Sequence, residues 1–140
     1  MRAMGLDVGT KTIGIALSDE LRITAQALVT LARAGMKRDL AELTRLAEEH
    51  EVNQWVVGLP LNMNGSEGER AKDSRKLGDA LKDVTQLPVD YWDERLSTVE
   101  AERVLLEADV SRKKRKLVID KLAAAVILQG WLDSKPRSTE

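Results

Sequence analysis

The sequence contains no cysteine, a single histidine and no apolar run approaching the ~20 residues of a membrane span. Without cysteine there is no disulfide framework, no thiolate-held zinc or iron–sulfur cluster and no thiol nucleophile, so secretion has no support and a cytoplasmic location is expected. The opening segment reaches an acid at Asp7, before a signal-peptide core could form. What remains is 140 residues, 43% hydrophobic and 32% charged. A chain of that length buries about two thirds of its unfolded surface in one core, and it shows no internal repeat or linker. A single domain over residues 1–133 is expected, with a frayed tail at 134–140.

Net charge is nearly absent too: 22 basic and 23 acidic side chains leave a formal charge of -1. That total argues against a polyanionic substrate, but the distribution does not. Residues 1–38 carry 6 basic and 3 acidic groups, residues 39–109 carry 8 and 17, and residues 110–140 carry 8 and 3. The sharpest basic run is Arg112, Lys113, Lys114, Arg115 and Lys116. Such a run is either a solvated face or a grip on a phosphate backbone.

Apolar runs at 3–8, 13–18 and 23–30, separated by short polar breaks, predict three consecutive strands in an antiparallel meander. Helical spacing starts after Gly35, with Leu40, Leu43, Leu46 and Ala47 on one stripe to near His50. Residues 54–58 predict a buried strand, 62–66 a polar loop and 68–83 a lightly buried helix. Residues 88–92 predict a further strand. Ser97 and Glu100 have the spacing of a capping box for a helix to about Ala108, and a final apolar helix is expected over 113–132. The order βββαβαβαα implies an α/β fold with a mixed five-stranded sheet and helices on both faces.

Several acids occupy positions where acids are costly. Along the first strand Met4, Leu6 and Val8 alternate with Gly5, Asp7 and Gly9, so Asp7 projects from a face of small residues. Asp120 shares the apolar stripe of the last helix with Leu117, Ala123, Ala124 and Ile127, and so faces the sheet. Asp93 and Glu94 end the last strand, where alternation sends one to each face. Three carboxylates gathered without histidine or cysteine repel one another unless hard cations such as Mg²⁺ or Mn²⁺ intervene. Two such ions clamp a phosphodiester with no nucleophilic side chain. His50, at a helix end, is expected to favour the helix dipole, and Trp55, Trp92 and Trp131 to pack in the core.

Four segments, GLDVGTKTIGIALSD at 5–19, VGLP at 57–60 with Asn62 and Gly65, DERLST at 93–98 and KLVIDKLAAA at 116–125, resemble in order and spacing the YqgF/RuvX family of RNase H-like nucleases. The resemblance spans nearly the whole chain. It implies an RNase H-like fold and a two-metal site of Mg²⁺ or Mn²⁺ at Asp7, Glu94 and Asp120, with Asp93 as a secondary candidate. Nucleic-acid contacts are expected at Lys11, Asn62, Arg95 and the basic run 112–116. The family was long labelled as Holliday junction resolvases and is now associated with processing the 5′ end of the small-subunit ribosomal RNA precursor. Structured RNA, branched DNA or precursor ribosomal particles are the implied partners of a monomer or homodimer, and no membrane is. Lys11 and Thr12 stand where members often have Lys-Arg, and Ser97 where many have Thr.

The same residues admit two other readings. Asp7-Val-Gly-Thr10 also resembles the first phosphate motif of actin-like ATPases and sugar kinases, but those enclose a nucleotide between two domains and this chain has room for one. A non-catalytic nucleic-acid-binding module would make the acids structural and leave the basic run to bind.

Overall fold

A computed structural model describes residues 1–96 and 112–135, with the side chains of 112–118 outside that description. Five strands, β1 (Arg2–Val8), β2 (Thr12–Ser18), β3 (Ala25–Ala32), β4 (Val52–Leu59) and β5 (Val89–Asp93), form one sheet in the order β3-β2-β1-β4-β5. The first three run antiparallel as the expected meander, and β4 and β5 add in parallel to β1. The helices are α1 (Met36–Glu49), α2 (Glu69–Thr85) and α3 (Arg112–Ser134), and Glu94–Leu96 form one 3₁₀ turn after β5. The capping box at Ser97 and Glu100 and the helix expected to Ala108 lie outside the described residues.

The alternation read from β1 divides the core. Met4, Leu6 and Val8 with Ile13, Ile15, Trp55 and Val57 meet Leu43, Leu46, Ala47, Leu77 and Leu81 of α1 and α2. Ala3, Ala16 and Val56 on the other face meet Ala123, Ala124, Ile127, Leu128, Trp131 and Leu132 of α3. One face is therefore built of large side chains and the other of small ones. Small residues let α3 lie almost on the strands: a Cβ at Gly5 would stand 2.7 Å from Leu128 Cβ. Burying each leucine or isoleucine there contributes roughly 1.5–3 kcal/mol.

One strand start is displaced from expectation. β3 spans Ala25–Ala32 rather than 23–30, because Asp19 Oδ1 accepts the backbone N–H groups of Ile23 (2.7 Å) and Thr24 (3.0 Å) and holds both in the turn. α1 begins at Met36, directly after Gly35 at φ +103°, where helical spacing was expected to start. The helix at 69–85 is also better buried than its charge suggests, with Ala71, Ser74, Leu77, Gly78 and Leu81 all inside. Trp55 is fully buried and donates from Nε1 to Thr85 Oγ1 at 3.1 Å, and Trp131 donates to Asp90 Oδ2 at 2.9 Å.

Candidate active site

Asp7 lies near the carboxyl end of β1 and is only 3% exposed. Its partner on β2 is Gly14, and since Leu6 pairs with Val57, the next rung of β4 sets Gly58 on its other side. Neither neighbour has a side chain, so both flanks of the Asp7 carboxylate are open within the sheet. Each is filled from above. A Cβ at Gly14 would lie 1.9 Å from the carbonyl oxygen of Asp120, and a Cβ at Gly58 would lie 2.5 Å from Ile127 Cδ1 and 3.2 Å from Glu94 Oε2. Neighbouring strands are about 4.8 Å apart, so Asp120 and Glu94 flank Asp7 one strand to either side. The three acids separated by 113 positions of sequence form a row across β2, β1 and β4. Asp7 Oδ1 and Glu94 Oε2 are both shielded from solvent.

The last strand ends one residue earlier than expected: Asp93 closes β5, and Glu94 opens the 3₁₀ turn, so the turn rather than the pleat separates the two acids. Glu94 leans over Gly58, whereas Asp93 engages Arg95 through both carboxylate oxygens, at 2.8 Å for the closest contact, and accepts the Arg95 backbone N–H at 2.9 Å. The Arg95 guanidinium, against some desolvation, holds the Asp93 carboxyl below its ordinary value. Arg95 is thus engaged at home, and its Nη1 also donates to the Met63 carbonyl at 3.1 Å, tying the 3₁₀ turn to the 62–66 loop. In that loop Asn62 N–H donates to Ser66 O at 2.9 Å, and Gly65 at φ +86° returns its N–H to Asn62 O at 2.8 Å. The Asn62 side chain donates to Ser66 Oγ at 3.0 Å. Lys11 is exposed at the β1–β2 hairpin. The side chains of residues 112–116 are outside the described residues.

Two features of the site had no signal in sequence. Thr12 Oγ1 donates to Asp120 Oδ2 at 2.5 Å across 108 positions. Alternation could have placed Thr12 on the Asp7 face, but not named its partner. The second is Arg33, whose Nη1 donates to Gly9 O at 2.9 Å and Asp73 Oδ2 at 2.6 Å while Nε reaches Asp39 Oδ2 at 3.3 Å. Arg33 therefore bolts the hairpin that follows Asp7 to both α1 and α2. Asp39 is 2% exposed and also accepts the Ala34 N–H at 2.9 Å.

The donor set at Asp7, Glu94 and Asp120 consists of hard carboxylate oxygens, which suits a divalent cation and no soft metal. Among the described residues, no group of three or more acidic or histidine side chains stands arranged to hold a metal ion. The row is thus drawn up one strand apart rather than closed on a common point. One Asp120 oxygen, Oδ2, accepts the Thr12 hydroxyl.

A family model described as Holliday junction resolvase, RuvX, matches residues 1–134. The chain belongs to the RuvX family. A relative from Myxococcus xanthus is 59% identical over 141 residues, covering 100% of this chain and 93% of its own, and one from Symbiobacterium thermophilum is 59% identical over 135, covering 96% and 94%. One from Clostridioides difficile is 56% identical over 137, covering 98% and 97%. All three are provisionally named pre-16S rRNA nucleases. Among solved structures, Thermus thermophilus RuvC in complex with a Holliday junction superposes with a TM-score of 0.60 at 12% identity, covering 94% of this chain and 93% of that one. That likeness establishes the RNase H-like fold of this RuvX member. No helix among the described residues is long and apolar enough to cross a membrane.

Proposed function

We propose that this RuvX-family protein is a divalent-metal-dependent nuclease that hydrolyses phosphodiester bonds in 5′-end processing of pre-16S ribosomal RNA. The observation that carries the reading is the carboxylate row Asp120, Asp7 and Glu94 over the glycine positions 14 and 58. The names of relatives 56–59% identical support the reaction and its substrate.

In this reading Asp7, Glu94 and Asp120 hold Mg²⁺ or Mn²⁺. A bound pair of such ions supplies charge neutralisation for the phosphodiester and acidifies the attacking water. Everything else falls to the chain. Asp7, fixed by the central strand, is the rigid member, and desolvation there strengthens its attraction for a cation. Glu94 enters from the turn after β5 and Asp120 from α3, so three separate elements must dock before the set is complete. Asp93 acts through Arg95, which fixes the turn that carries Glu94. Lys11, Asn62 and the run 112–116 on this reading contact the substrate backbone, while Arg95 stays with Asp93. A cytoplasmic protein acting on precursor ribosomal particles follows from that substrate.

The test offers the purified protein a 5′-extended 16S precursor fragment and a four-way DNA junction, with Mg²⁺ and Mn²⁺ in turn. Metal-dependent shortening of the RNA is expected, and it should vanish in Asp7→Asn. Cleavage of the junction alone would move the substrate to DNA. Binding of RNA without cleavage under either metal would leave a non-catalytic module and overturn the nuclease reading.

A further inference from the structure

Two of the contacts between β2 and α3 involve Asp120. Thr12, Gly14 and Ala16 project to the same face of the sheet as Asp7, because side chains on a strand alternate and Asp7 pairs with Gly14. Gly14 receives the Asp120 main chain, since a Cβ there would overlap its carbonyl group. Two residues earlier on the same strand, the Thr12 hydroxyl donates to Asp120 Oδ2 at 2.5 Å. The backbone of Asp120 and its carboxylate are thus gripped by the same strand that borders Asp7.

A hydroxyl hydrogen bond to one carboxylate oxygen does two things. It removes rotation about the terminal torsion of Asp120, which is otherwise broad. It also engages one lone pair of Oδ2, which disfavours chelation by both oxygens and leaves Oδ1 as the oxygen that Thr12 does not engage. An aspartate with no such partner is free to rotate or to present both oxygens, at a cost in ordering when a cation binds. Outer partners that orient ligating carboxylates are worth about 10–100-fold in metal affinity or activity.

We propose that Thr12 is a positioning residue for the metal site: its hydroxyl fixes the Asp120 carboxylate so that Asp120 binds a divalent cation through a single oxygen. The proposal rests on the nuclease reading above. Thr12 touches neither substrate nor cation; it acts through Asp120. The hydroxyl is the functional part, because Thr12 Oγ1 is the atom that reaches Asp120.

The experiment compares the wild type with Thr12→Val, Thr12→Ser and Asp120→Asn. Mn²⁺ binding is measured by titration calorimetry without RNA, and the Mn²⁺ concentration for half-maximal cleavage is measured alongside. Thr12→Val keeps the branched shape of a strand residue and loses only the hydroxyl. It should fold, bind Mn²⁺ about 10–100-fold more weakly and need correspondingly more Mn²⁺ to cleave, with KM for RNA unchanged. Thr12→Ser should restore both readouts to within about threefold of wild type, against the ~10-fold minimum loss in Thr12→Val. A Thr12→Val protein with wild-type Mn²⁺ affinity, or a Thr12→Ser protein as impaired as Thr12→Val, overturns the proposal, as does a drop in melting temperature with no change in affinity. Asp120→Asn separates the two levels. If it abolishes Mn²⁺ binding and cleavage while Thr12→Val changes neither, only the role of Thr12 fails. If Asp120→Asn leaves both intact, the metal-site reading fails and takes this inference with it.

Discussion

Replacing Gly14 by alanine adds one methyl group at the tightest contact between α3 and the sheet. The new Cβ would sit 1.9 Å from the Asp120 carbonyl oxygen and 2.3 Å from its carbonyl carbon. An ordinary carbon–oxygen approach is about 3.3 Å, so α3 must withdraw by about 1.4 Å at this turn. The obstacle is main chain on both sides, one strand and one helix, so no rotamer change relieves it. Overpacking of this kind costs about 1–3 kcal/mol. The larger effect is on activity, because the group displaced is Asp120 itself, and a misplacement near 1 Å at a reacting centre costs on the order of 100-fold. Gly14→Ala should therefore melt a few degrees lower yet retain its circular dichroism, and its metal-dependent RNA cleavage should fall by about two orders of magnitude. Gly5→Ala is the comparison: its Cβ would meet the Leu128 side chain at 2.7 Å and the Ala124 carbonyl at 3.1 Å, about two turns and one turn along the helix from Asp120. It should lose stability more than activity. A Gly14→Ala protein that cleaves as fast as wild type would refute the claim that α3 delivers Asp120 by close approach over this glycine.

Arg33→Met leaves Asp39, 2% exposed, without its cation and should cost about 3 kcal/mol in urea unfolding; a loss below about 1 kcal/mol would show that the cluster is not buried in effect. Arg45, by contrast, lies on the exposed face of α1 with Glu42 and Glu49, and Arg45→Gln should produce no measurable change in midpoint, since exposed pairs contribute little. Asp93 has its pKa lowered below 3.8 by Arg95, so its ionised form stabilises the fold at every pH above that value. That contribution should fade as pH falls through 3.8 toward the depressed value, and Asp93→Asn should flatten this part of the stability–pH curve; an unchanged slope would sink the pairing.

The division of the core was legible because β1 alternates so cleanly: Met4, Leu6 and Val8 against Gly5, Asp7 and Gly9 fix which face is thick, which is thin and where the buried acid points. The same reasoning placed Asp120 on the sheet side of α3, since Ala123, Ala124 and Ile127 share its stripe. What sequence could not supply was every contact made by polar groups far apart in the chain. Thr12 and Asp120 meet across 108 positions, and nothing local marks either as the other's partner. Asp39 carries no local mark of burial, yet it lies buried against Arg33. The start of β3 was misplaced because periodicity counts Ile23 as an apolar strand residue, whereas the Asp19 carboxylate claims its N–H for the turn. Arg95 was expected to meet nucleic acid, and in this state its guanidinium is spent on Asp93 and the Met63 carbonyl.

The central claim is that Asp7 anchors a cation-dependent phosphodiesterase site. The most direct measurement is cleavage of a 5′-extended 16S precursor RNA by wild type and Asp7→Asn, prepared alike, in Mn²⁺, Mg²⁺ and chelator. The account predicts cleavage by the wild type in at least one metal and none in chelator, with a loss of at least about 100-fold in Asp7→Asn at unchanged circular dichroism. Equal cleavage by the two proteins, or cleavage by the wild type in chelator, would contradict it.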